Sequence, residues 1–75
     1  MEWQYLESKL LAASAYDGGK RILYLRFRSD EVYRYFGFPE DQYWELLDAE
    51  SRGRYFLSNI RNRFRYERLA KLHAA

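Results

Sequence analysis

Seventy-five residues with no cysteine, one histidine and a formal net charge of +2 make one domain near the lower size limit for a self-sufficient core, with no disulfide or thiolate metal site to staple it. Aromatic side chains, 20% of the residues, must supply the cohesion instead. Each large apolar side chain that is buried contributes roughly 1.5–3 kcal/mol, so about ten of them offset much of the ordering cost. The absence of cysteine fits a reducing compartment. The opening residues Met1-Glu2-Trp3-Gln4 carry an acid where a signal peptide needs positive charge, and no apolar run approaches the ~20 residues of a membrane span. A cytoplasmic protein is expected, with no membrane partner.

The small net charge conceals an asymmetry. Residues 1–50 hold six basic groups against ten acidic ones, a net of −4, whereas residues 51–75 hold seven basic groups against Glu67 alone, a net of +6. Such a division points either to a polyanionic partner for the C-terminal third or to a basic end folded back on the acidic helix of the same chain.

Leu10 to Tyr16 reads as a first strand, bounded by Asp17-Gly18-Gly19-Lys20, where glycine is expected to supply the positive φ of a hairpin turn. Arg21 to Arg28 and Val32 to Phe36 alternate as two further strands, and charge settles their register. A two-residue turn would place Arg34 among Leu23, Leu25 and Phe27, and an unpaired buried guanidinium is costly. A three-residue loop, Arg28-Ser29-Asp30 with Asp30 left-handed, instead pairs Leu25 with Tyr33 and Leu23 with Tyr35, since one residue of slip exchanges the faces. Tyr33 and Tyr35 then pack inward. Ile22, Tyr24, Arg26, Arg28, Val32, Arg34 and Phe36 face outward.

Pro39-Glu40-Asp41 opens a helix, with proline and acids suited to its first turn. Tyr43, Leu46 and Leu47 form its core stripe, and it ends at Ala49-Glu50. Ser51 or Gly53 starts a second helix from Arg54 to about Arg61, with Phe56, Leu57 and Ile60 turned to the sheet. Asn62 to Arg68 interleaves arginine with Phe64 and Tyr66. Glu67 to His73 reads as a last helical turn, and Ala74-Ala75 as a fraying end. The fold expected is α+β: a three-stranded antiparallel β-meander followed by two or three short helices packed on one face, one domain over residues 1–75 with its core at about 8–69.

Three constellations bear on function. Tyr24, Arg26, Arg28, Arg34 and Phe36 resemble an open strand face that stacks bases and meets phosphates; tyrosine and arginine also suit a merely solvated strand face. Ser51-Arg52-Gly53-Arg54 could hold a phosphate at a helix start, or Ser51 could simply cap that helix. Arg61, Arg63, Arg65 and Arg68 with Phe64 and Tyr66 offer several phosphate contacts, or else pair with Glu40, Asp41 or Asp48. Enzyme chemistry has poor support, because His73 lies near the end and no serine or carboxylate spacing suggests a triad or an acid–base pair.

The residues Leu23-Tyr24-Leu25-Arg26-Phe27, Val32-Tyr33-Arg34-Tyr35-Phe36-Gly37, Pro39, Ser51-Arg52-Gly53-Arg54-Tyr55-Phe56 and Ile60-Arg61 resemble the KTSC domain. That module is named for its occurrence at the C-terminus of some lysyl-tRNA synthetases, and it also occurs alone in bacterial proteins. Its Tyr-x-Tyr element falls on Tyr33 and Tyr35. Arg52 stands where lysine is usual, Leu57 where asparagine is usual, Asp30 where glycine is usual and Phe64 where tyrosine is usual. The family has no established activity, and its attachment to a tRNA-charging enzyme implies an RNA-binding role by association.

The expectation is therefore a small non-enzymatic nucleic-acid-binding module, RNA favoured. The binding residues named are Tyr24, Arg26, Arg34, Arg52, Arg54, Arg61, Arg63 and Arg65, with no metal, cofactor or small-molecule substrate. The alternative is a protein–protein interaction module.

Overall fold

The computed structural model describes residues 2–71. Five strands, β1 (Gln4–Tyr5), β2 (Leu11–Asp17), β3 (Ile22–Phe27), β4 (Glu31–Phe36) and β5 (Tyr66–Lys71), form one antiparallel sheet in the order β1-β2-β3-β4-β5. Helices α1 (Glu40–Asp48) and α2 (Arg52–Asn59) lie in the chain between β4 and β5.

The β3–β4 hairpin has the expected register, which keeps Arg34 off the core face. Leu25 pairs with Tyr33 and Leu23 with Tyr35, and Asp30 is left-handed at φ 70°. In the β2–β3 turn the expectation fails in one detail. The left-handed residue is Arg21 at φ 55°, not Gly18 or Gly19. Asp17 accepts a bond from the Lys20 amide at 3.2 Å, so a side-chain-closed turn carries the reversal and the positive φ falls at Arg21, two residues past Gly19.

Two strands exceed the three expected. β1 is only two residues long and leaves little trace in the sequence. β5 replaces the helical turn expected over Glu67 to His73: Tyr66, Glu67 and Arg68 pair with Tyr35, Arg34 and Tyr33. Residues 72–75, which include Leu72, His73 and the expected fraying end, lie outside the described residues.

One face of the sheet carries the core. Leu11, Leu23, Leu25, Tyr35 and Phe38 are buried against Tyr43 and Leu46 of α1 and Phe56 of α2, with Ile60 just beyond it. Tyr16 stacks on Tyr43 with ring centroids 5.0 Å apart, and Ser14, fully buried, meets the Tyr43 hydroxyl at 3.2 Å. Leu57, expected beneath α2, is instead 52% exposed, because Phe56 and Ile60 alone define the inward stripe of so short a helix. Gly53 lies inside α2, which begins two residues earlier than expected. A Cβ there would sit 3.3 Å from Ser8 Oγ and 3.4 Å from Leu10 Cβ, so its absence lets α2 close on the Ser8–Leu10 segment.

On the opposite face Ile22 and Val32 are buried although they point away from the helices, as are Ala13 and Ala15. Ala15 is paired with Tyr24 and Ala13 with Arg26. Long side chains laid across small neighbours shield them from water. Among the described residues no helix is long and apolar enough to cross a membrane.

Candidate nucleic-acid interface

The arginines divide by what already engages them. On the outward strand face Arg26 pairs with Asp30 at 3.1 Å, and Arg34 donates through Nε to Glu67 at 2.7 Å. Tyr24 stands between them on the same face, half-buried. That face is thus closer to charge-balanced than the sequence implies, because β5 brings a carboxylate beside Arg34. The Arg34 guanidinium also lies 5.3 Å from the Phe36 ring centroid.

Arg52 is taken up inside the fold. It donates to the Leu47 carbonyl at 2.7 Å, meeting an orphan acceptor at the end of α1, and its Nε is buried without a partner. Ser51 caps α2 by accepting from the Arg54 amide at 3.2 Å. The expected phosphate cradle at that helix start is therefore already occupied by its own cap and by a guanidinium turned the other way.

Arg54, Arg61, Arg63 and Arg65 are exposed, and none takes part in an ion pair within the described residues. Arg68 is bound at 2.9 Å to Glu31. No pair among the described residues joins the basic third to Glu40, Asp41 or Asp48, so the acidic helix does not neutralise it. Arg65 packs over Phe36 at 5.1 Å from the ring centroid, and the amide of Phe36 donates to the Arg65 carbonyl at 2.9 Å.

A feature the sequence did not announce lies on the helix side of the sheet, where two helices of nine and eight residues leave part of a five-stranded sheet bare. A cavity of about 570 Å³ opens there, floored by Tyr33 and Tyr35 of β4, Phe27 of β3 and Tyr66 of β5, with Phe56 of α2 as a wall. Tyr33 and Tyr35 lie 6.4 Å apart and nearly parallel, and Tyr66 is 5.7 Å from the first and 5.9 Å from the second. Phe27 meets Tyr33 edge-on, and Phe56 meets Tyr35 edge-on. Both tyrosines pack inward as expected, yet they line an open recess as well as the core.

Lys9, Arg28 and Arg61 stand on its rim. Arg28, expected on the outward face, bonds the carbonyls of Ser8 at 2.9 Å and Leu6 at 3.0 Å; neutral acceptors leave its charge uncompensated. Tyr16, Tyr43 and Tyr55 hydroxyls have partners in Phe38, Ser14 and Glu45. Those of Tyr33, Tyr35 and Tyr66 have none among the described residues.

Burial raises the Tyr35 hydroxyl far above the ordinary tyrosine range, with Tyr33 and Tyr66 adding to the rise and Arg61 opposing it. Burial also pushes Tyr55 up to about 12, aided by its hydrogen bond to Glu45. Unfolded tyrosines ionise near pH 10, so above that pH the unfolded chain loses protons that the folded one keeps. Stability is complete below about pH 10 and falls as pH rises toward the folded values. A melting series should show a flat midpoint to about pH 9.5 and a decline from about 10 to 12, while phenolate absorbance reveals tyrosines that lag. Ionisation of every tyrosine in one step near pH 10, with the fold intact, would contradict this.

The model of the KTSC domain matches residues 7–64. A protein from Tsukamurella paurometabola is 39% identical over 62 residues, which are 83% of this chain and 92% of that protein. A lysine–tRNA ligase from Nostoc sp. is 36% identical over 64 residues, 85% of this chain but 11% of the ligase. The crystal structure of a KTSC domain protein from Yersinia pestis superposes with a TM-score of 0.89 at 29% identity, covering 92% of this chain and 97% of that one.

Proposed function

The chain belongs to the KTSC domain family, and from that premise we propose that it is a small non-enzymatic module that binds single-stranded nucleic acid, RNA in first place, chiefly through backbone phosphates. The observation that carries this reading is the group Arg54, Arg61, Arg63 and Arg65, exposed and outside every ion pair of the described residues. Free guanidinium groups release counterions when they meet phosphates, and that release drives binding. A lysine–tRNA ligase contains a segment similar to this chain, which makes an RNA the natural first polyanion to try.

A binding role also suits what the polar side chains are doing. Ser8 and Ser51 accept backbone amide bonds, and Ser14 is sealed against Tyr43. None of these three stands beside a base.

Titration against single-stranded RNA, tRNA and duplex DNA at two salt concentrations tests the proposal. Binding of the single strand that weakens steeply with salt is expected. No binding at low salt, or binding indifferent to salt, would remove it. Partners captured from extract that persist after nuclease treatment would favour a protein-interaction module.

A further inference from the structure

We propose that the aromatic cavity between β3, β4, β5 and α2 holds one unstacked nucleobase of the bound strand, with Lys9 and Arg61 meeting the phosphates on either side. This rests on the nucleic-acid reading above and gives it a specific seat. About 570 Å³ falls within the range of roughly 300–1,000 Å³ typical of sites that enclose a small organic group.

The lining suits a base better than an aliphatic side chain. Tyr33, half-buried, and Tyr66, exposed, line the recess with the buried Tyr35 behind them, and flat aromatic faces stack on any base. The unpartnered tyrosine hydroxyls and the exposed Asn62 amide at the cavity edge supply donors and acceptors for a base's polar rim.

Charge selects the same occupant. Lys9, Arg28 and Arg61 face the opening, and the one carboxylate there, Glu31, is held by Arg68 at 2.9 Å. A neutral apolar peptide has no use for three cations, and a basic one is repelled. A duplex is excluded too, because a recess walled by α2 and the Lys9-Leu10 segment admits only a base already out of its stack.

Two oligonucleotides of equal length and charge, one of uridines and one abasic throughout, separate base from phosphate. The uridine strand should bind about 5- to 150-fold more tightly to the native protein, the range that stacking of one base gives. Tyr66→Ala, at a residue 55% exposed, should erase that difference while keeping the salt dependence, and Tyr66→Phe should retain it. A 2-aminopurine placed in the strand should be quenched on binding by the native protein and not by Tyr66→Ala.

Equal, salt-sensitive binding of both strands overturns the cavity assignment and leaves phosphate binding standing. Binding of neither strand at low salt overturns both. Dimers that Tyr66→Ala abolishes, with no strand bound, would give the cavity to a second copy and overturn it as well.

Discussion

Phe38→Ala is expected to lower the thermal midpoint by on the order of 12–40 °C and to leave a substantial unfolded population in mild denaturant. Phe38 is fully buried, with its ring 4.9 Å from Phe64 and 6.4 Å from Tyr16. Its carbonyl accepts from the Tyr16 hydroxyl at 2.5 Å, and its amide donates to Arg21 at 2.9 Å. The residue therefore joins the β2–β3 turn, the entry to α1 and the loop after α2. Phenylalanine truncated in a core costs about 3–5 kcal/mol. A chain of this length has about 4–11 kcal/mol in total, at 0.05–0.15 kcal/mol per residue, and each kcal/mol moves the midpoint by about 4–8 °C. Leu57→Ala, on the exposed side of α2, should stay within about 0.5 kcal/mol of the parent. Melting curves for the two variants check this, and similar midpoints would contradict the packing described.

The second large effect concerns affinity. Arg63→Glu combined with Arg65→Glu should weaken binding to a single-stranded RNA by on the order of 10- to 100-fold at low salt. It should also flatten the plot of log affinity against log salt by about 1.4, since each phosphate contact on a single strand contributes about 0.7. Neither residue lines the aromatic cavity, so preference for a base-bearing over an abasic strand should survive. Stability should fall by only about 0.5–1 kcal/mol, the worth of the exposed Arg65 contact with Phe36. An unchanged slope would exclude both arginines from the phosphate path.

The parts of the fold legible in the sequence are those where one physical cost dominates. Burying Arg34 would have been expensive, so the β3–β4 register followed from charge alone. Ser51 announced its cap. β5 was hidden because Glu67, Arg68, Leu69, Ala70 and Lys71 are mostly good helix formers, and the unpaired edge of β4 outweighs that preference. Its alternation, Tyr66 inward and Glu67 outward, has meaning only once Tyr35 and Arg34 stand opposite. The cavity was hidden for the same reason: Tyr33 and Tyr35 were correctly turned toward the helices, but two short helices cover three strands and not five. The loss of free charge at Arg26 and Arg34 likewise depends on partners that spacing could not supply, one at the turn and one on the missing strand.

The pairing of β4 with β5 spans both helices, whereas every other strand contact joins neighbours along the chain. Closure of that long loop carries an entropic penalty that the local hairpins avoid, which makes β5 the costliest of the longer strands to dock. Since Tyr66 rides on it, the recess is dismantled whenever the strand lifts away. An occupant seated there would clamp the sheet shut, so recognition and the rigidity of the C-terminal edge are thermodynamically one equilibrium.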